Sequence, residues 1–123
     1  MNLAIWDIES SSASTDFGSI IEIGGVLVDE NFKEKDRFNL RCRLPEGEIF
    51  QAMALIVNKT SIKKLTQANL SHYQMLAEVE KIFKKWSPAI FLGWSNIGFD
   101  DEMIRKEFFK GIRYPYLTNA APN

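Results

Sequence analysis

The chain has 123 residues, 46% of them hydrophobic and 25% charged, with a formal net charge of −1. This is the mixture of a globular protein at the length of one domain, and it excludes a disordered, collagen-like or coiled-coil chain. A single cysteine, Cys42, excludes an intrachain disulfide and a cysteine-rich zinc site, and a single histidine, His72, excludes a multi-histidine metal centre, so any chemistry must rest mainly on carboxylates.

The first predicted element is a strand over 3–9, Leu-Ala-Ile-Trp-Asp-Ile-Glu, followed by a serine-rich loop over 10–18. A second strand covers Ile20–Val28, and Asp29-Glu-Asn marks a turn. Residues 37–43 alternate polar and apolar, the period of a half-exposed strand. Short connections between these three predict an antiparallel meander. Short helices are predicted over 50–57 and around 61–65. Ser71 with Gln74 forms a capping box, and Leu70 with Met75 fits a hydrophobic staple. Tyr73, Leu76, Val79, Phe83 and Trp86 then recur at helical spacing as one apolar stripe, expected in the core, and Pro88 ends that helix. A buried strand over Ala89–Gly93 and a final helix over 98–109 complete the order. This pattern predicts an α/β fold with helices flanking a mixed sheet in the order 3-2-1-4, the fourth strand parallel to the first.

Charge is uneven along the chain. Residues 1–40 hold eight acids and three bases, and residues 41–123 hold eight acids and twelve bases. An acidic front half suits a site that collects cations; a mildly basic back half suits phosphates; scattered surface charge explains both equally well. No apolar run approaches the roughly 20 residues of a membrane helix, and no basic region precedes an apolar stretch at the N-terminus. The expectation is a cytoplasmic protein with no membrane partner.

Asp7 and Glu9 stand two apart on an otherwise apolar strand, so both project from one face. Two carboxylates that close repel unless a cation lies between them, and hard ions such as Mg²⁺ seek such oxygen ligands. A solvated strand end is the equal alternative. Asp100, in Asn96-Ile-Gly-Phe-Asp-Asp-Glu102, follows the fourth strand at the start of the last helix. Acids there favour the helix dipole, which is a sufficient structural reason. The functional reading makes Asp100 a third carboxylate beside Asp7 and Glu9. Such a site suits two-ion phosphodiester cleavage.

Trp6-Asp-Ile-Glu9 followed by Ile20-Ile-Glu-Ile-Gly24 resembles the first motif of the DEDD 3′→5′ exonucleases, and Asn96-Ile-Gly-Phe-Asp100 resembles the second. Residues 91–109, with Tyr114-Pro-Tyr116 behind them, look most like the bacterial exonuclease I branch, and the resemblance covers nearly the whole chain. It implies a ribonuclease H-like fold and 3′→5′ exodeoxyribonuclease activity on single-stranded DNA, releasing mononucleotides. It makes Asp7, Glu9 and Asp100 the catalytic carboxylates and ligands of Mg²⁺ or Mn²⁺, two ions in an intact enzyme. It assigns substrate contacts to Ser10, Ser11, Leu55, Asn96 and Phe99, with Leu55 wedging against the terminal base or serving as ordinary core. The implied partners are the 3′ end of single-stranded DNA and a single-stranded DNA-binding protein.

The chain departs from the family's pattern after the second motif. The third motif, roughly His-x-x-x-x-Asp, supplies the general base and a fourth carboxylate, and no histidine follows Asp100 within these 123 residues. His72 lies at the start of the middle helix without an Asp at that offset, and is expected on the surface. The expectation is a single exonuclease domain over 1–123, incomplete at its C-terminus, lacking the fifth strand and inactive alone. A non-catalytic nucleic-acid-binding or interaction module of the same fold is the rival reading. A 3′→5′ exonuclease acting on short RNA or on a polymerase's mismatched end is another.

Overall fold

Alternate residues of the first strand, β1 (Asn2–Ser10), belong to opposite worlds: Ala4, Trp6, Ile8 and Ser10 are buried, while Leu3, Ile5, Asp7 and Glu9 are half-exposed. This period of two sets up the whole molecule. The computed structural model describes residues 1–11, 18–43, 67–93 and 97–119, without the side chains of 97–101 and of Asn119. The helices expected over 50–57 and 61–65, with Leu55, and also Asn96 lie outside the described residues.

β2 (Ile20–Val28) pairs antiparallel with β1, matching Asp7 to Gly24 and Glu9 to Glu22. A turn leads into β3 (Glu34–Arg41), which pairs antiparallel with β2. The Asp29 carboxylate closes that turn by accepting the amides of Asn31 at 2.8 Å and Lys33 at 3.0 Å, and these bonds hold its carboxyl below the usual carboxylate range. β3 begins at Glu34, earlier than the alternation over 37–43 suggests; Cys42 makes only an isolated bridge to Leu70.

α1 (His72–Trp86) opens on the expected capping box: the Ser71 hydroxyl accepts the Gln74 amide at 3.1 Å, and the Gln74 side chain accepts the Ser71 amide at 2.9 Å. Met75, Leu76, Val79, Phe83 and Trp86 are buried, so the predicted stripe is core with one correction: Tyr73 is 67% exposed. Tyr73 stands in the first turn, where its ring meets the Arg113 guanidinium at 4.9 Å and not the sheet. β4 (Ala89–Gly93) runs parallel to β1, from Asn2 beside Ala89 to Trp6 beside Gly93. α2 (Ile97–Lys110) and a 3₁₀ turn (Leu117–Asn119) follow.

The sheet order is β3-β2-β1-β4, as the connection lengths require. One face packs on the helices. Phe83 is its centre, with ring centroids 6.0 Å from Trp6, 6.1 Å from Phe38 and 5.1 Å from Phe91, the first two edge-on. Trp86, at the rim of this layer, donates its indole N–H to Asp36 at 2.9 Å. Among the described residues no helix is long and apolar enough to cross a membrane.

Candidate active site on the open face of the sheet

The face away from α1 carries the polar residues. In register, one row across three strands is Glu9, Glu22 and Arg41, and the next is Asp7, Gly24 and Asn39. Like charges directly opposite one another, as Glu9 and Glu22 are, destabilise a sheet. Arg41 relieves part of this by an ion pair with Glu22, and the Asn39 amide donates to the other Glu22 oxygen at 3.2 Å. Gly24 makes room for that amide: a Cβ there would meet the Asn39 side-chain oxygen at 2.8 Å.

Glu9 keeps the unrelieved charge. Its carboxyl is pushed above its ordinary value, first by partial burial, then by the charges of Asp7 and Glu22, with Arg41 opposing. Asp7 and Glu9 are therefore brought together, as the i, i+2 spacing predicts. Their gathered negative charge favours an added positive charge, and two such carboxylates are a donor set that fits a hard divalent cation. No third ligand completes a cluster of metal-binding type among the described residues.

Asp100 and Phe99 lie in the first turn of α2, which starts just past Gly93, and Gly93 is the parallel neighbour of Trp6. The backbone thus enters α2 from the strand end next to Asp7; the side chains of Asp100 and Phe99 lie outside the described residues. Ser10 and Ser11 are both buried at the end of β1. The Ser11 amide donates to the Ser19 carbonyl at 2.8 Å and its hydroxyl accepts the Ser19 amide at 2.9 Å, so Ser11 ties the two ends of the β1–β2 loop together.

His72 is not the surface residue that the sequence suggests. It is largely buried, and its Nε2 lies 2.9 Å from the carboxylate of Glu107 on α2. Glu22, Asn39, Arg41 and Glu107 were not singled out by motif. For the first three the signal was available: period-two alternation places Glu22 and Gly24 on one face of β2, and Asn39 and Arg41 on one face of β3.

No family model matches the chain, and no curated protein matches it. Solved structures do. E. coli exonuclease I in a metal-free complex with single-stranded DNA superposes with a TM-score of 0.85 at 18% identity, over 94% of this chain and 25% of that one. A product-bound exonuclease I gives 0.84 at 18% identity, over 94% of this chain and 27% of that one. An exonuclease I complex with SSB-Ct gives 0.84 at 18% identity, again over 94% of this chain and 25% of that one. The chain spans about a quarter of the length of these structures. The fold is accordingly that of exonuclease I, a ribonuclease H-like mixed sheet with flanking helices, as the motif resemblance implies.

Proposed function

We propose that the chain is part of a metal-dependent 3′→5′ exodeoxyribonuclease acting on single-stranded DNA. The observation that carries this is the Asp7–Glu9 pair, held on the open sheet face of an exonuclease I fold and strained by its own charge. Asp7, Glu9 and, from the first turn of α2, Asp100 would hold Mg²⁺ or Mn²⁺. When bound, two such ions supply positive charge to the attacking and leaving oxygens of phosphodiester hydrolysis. The chain's own residues do the rest of the positioning. Arg41 and Asn39 hold Glu22 in place directly opposite Glu9. The partial burial of Glu9 strengthens its attraction for a cation.

By the same resemblance, the partners proposed are the 3′ end of single-stranded DNA, met by Asn96, Phe99, Leu55 and the backbone of Ser10 and Ser11, and a single-stranded DNA-binding protein in the cytoplasm. Residues 1–123 contain no histidine after Asp100 to accept the proton of the attacking water. A general base contributes about 10²–10⁴-fold. The isolated chain therefore binds but turns over negligibly.

The test is calorimetric titration with Mn²⁺, followed by anisotropy with a labelled single-stranded oligomer. Weak Mn²⁺ binding and metal-dependent binding of linear but not circular DNA are expected, both lost in Asp7→Ala. Absence of Mn²⁺ binding, or equal binding by Asp7→Ala, overturns the proposal. Preference for a matched RNA oligomer transfers it to a ribonuclease, and metal-independent DNA binding favours the non-catalytic module. Chelator-sensitive digestion by the isolated chain would show that the missing base is dispensable.

A further inference from the structure

On the other side of the sheet, between the first turn of α1 and the last turn of α2, lies a cavity of about 220 Å³. It shares no residue with the Asp7–Glu9 site, because α1 packs on the opposite face of β1. Its lining includes His72, Tyr73, Leu76, Glu107, Lys110 and Arg113.

Glu107 is 2% exposed. One of its oxygens accepts the Ile20 amide at 3.2 Å, and the other lies 2.9 Å from His72 Nε2. A carboxylate offers about four acceptor positions, and the Ile20 amide and the His72 contact take up two of them. A buried carboxylate facing a histidine is weak ground for stability, since apolar residues of similar volume commonly serve as well. Another reason for a carboxylate at this position is therefore wanted. Above it, Tyr73 and Leu76 supply an aromatic and an aliphatic surface. At the rim stand two cations, Lys110 and Arg113.

Arg113 is placed there by a strained turn. α2 ends with the Ile112 amide donating to Phe109 at 3.0 Å and the Arg113 amide donating to Phe108 at 2.8 Å, the pattern in which the residue after the helix turns left-handed. That residue is normally glycine; here it is Ile112 at φ 58°, an unfavourable conformation for a β-branched side chain. The turn reverses the chain and lays the Arg113 guanidinium 4.9 Å from the Tyr73 ring centre, with Glu80 holding its other side at 3.2 Å.

The occupant must satisfy three conditions at once. It needs a flat ring to lie with Tyr73, N–H donors for the buried acceptor, and an anionic group for Lys110 and Arg113. The anion must stay at the rim, because Glu107 repels it from the floor. The volume lies below the roughly 300 Å³ at which drug-sized pockets begin, which suits one base and not a dinucleotide.

We propose that this cavity is a nucleotide subsite, taking an amino-bearing nucleobase inward with its phosphate on Lys110 and Arg113. The ligand is either a free mononucleotide or one nucleotide of a bound strand.

The test uses the whole chain in chelator, so metal binding and hydrolysis play no part. The probes are dCMP, dAMP and inorganic phosphate, read by calorimetry and tyrosine fluorescence. The mononucleotides are expected to bind about tenfold or more tighter than phosphate alone. Base–aromatic stacking is worth about 1–3 kcal/mol, so Tyr73→Ala should weaken them by roughly 5–150-fold, and Lys110→Ala should weaken them too. Both side chains are exposed, so neither variant should disturb folding. Asp7→Ala should bind unchanged. Competition between dCMP and a single-stranded oligomer assigns the subsite to a strand; its absence assigns it to free nucleotide. No mononucleotide binding, or binding indifferent to both Tyr73→Ala and Lys110→Ala, overturns the subsite. Binding lost in Asp7→Ala places the ligand at the carboxylates, which sinks the subsite and leaves the proposed nuclease standing. Cavity binding together with failure of Mn²⁺ binding does the reverse.

Discussion

The two faces of β1 are built to opposite rules. Trp6 and Ile8 point into a layer of interlocked rings around Phe83, built almost wholly of apolar surface. Asp7 and Glu9, one residue over in each case, point to a face where three carboxylates lie on two adjacent strands and Arg41 pairs with Glu22. One face is optimised for burial, the other holds charge at a cost in stability. Such locally unfavourable arrangements mark functional sites more often than structural ones. The contrast teaches that stability and chemistry are divided here by sheet side and not by position along the chain.

Truncating the ring cluster should have the largest effect. Phe83→Ala should cost about 3–5 kcal/mol, because Phe83 is fully buried and its ring is neighboured by Trp6, Phe38, Trp86 and Phe91. Urea unfolding followed by tryptophan fluorescence checks this, and a loss below about 1 kcal/mol would mean that the cluster is loosely packed.

Gly24 and Gly25 probe the two faces with the same added methyl. At Gly25 a Cβ would meet the Phe38 ring at 2.8 Å, the Ile5 carbonyl at 3.3 Å and the Trp86 ring at 3.3 Å. Rings and backbone cannot yield cheaply, so Gly25→Ala should lose about 1–3 kcal/mol. At Gly24 the close atom is the tip of the Asn39 side chain at 2.8 Å, which can swing away. Gly24→Ala should cost less than about 1 kcal/mol, the usual net worth of one hydrogen bond. Its larger effect should be weaker Mn²⁺ binding, since Asn39 no longer steadies Glu22. Equal destabilisation by the two variants would refute the division of labour between the faces.

How far this architecture was legible depended on range. The Ser71–Gln74 capping box is written in four consecutive residues, and it formed as read. Sheet order followed from which connections are short. The Asp7–Glu9 pair needed only the strand's period of two. What was missed depends on contacts across the fold. Tyr73 fits the helical stripe by spacing, but in the first turn its neighbour is Arg113, delivered by the turn after α2. His72 has no local partner to announce it, since Glu107 comes from another helix. The Glu22–Arg41 pair depends on the β2–β3 register, which the Asp29 turn sets and which composition does not reveal.

The smallest effect sharpens the comparison most, because its sign differs from every other. Glu9 has its carboxyl raised above its ordinary value by burial and then by Asp7 and Glu22. A group whose folded pKa is raised holds its proton more tightly in the folded chain. Its contribution is therefore complete below the unfolded value and is lost as pH rises through the folded one. At about neutral pH the ionised Glu9 thus weakens the metal-free fold. Glu9→Gln keeps the shape and removes the charge, so in chelator near pH 7 its thermal midpoint should rise, by roughly 1–4 °C for a domain of this size. As pH falls below the ordinary carboxylate range and Glu9 becomes protonated, that advantage should vanish. Saturating Mn²⁺ should reverse the order, since a ligand that binds only the folded chain stabilises it in proportion to its affinity, and the variant has lost a ligand. A variant that is less stable than wild type in chelator, or that gains as much from Mn²⁺, would show that Glu9 is held by the fold for packing and not for a cation.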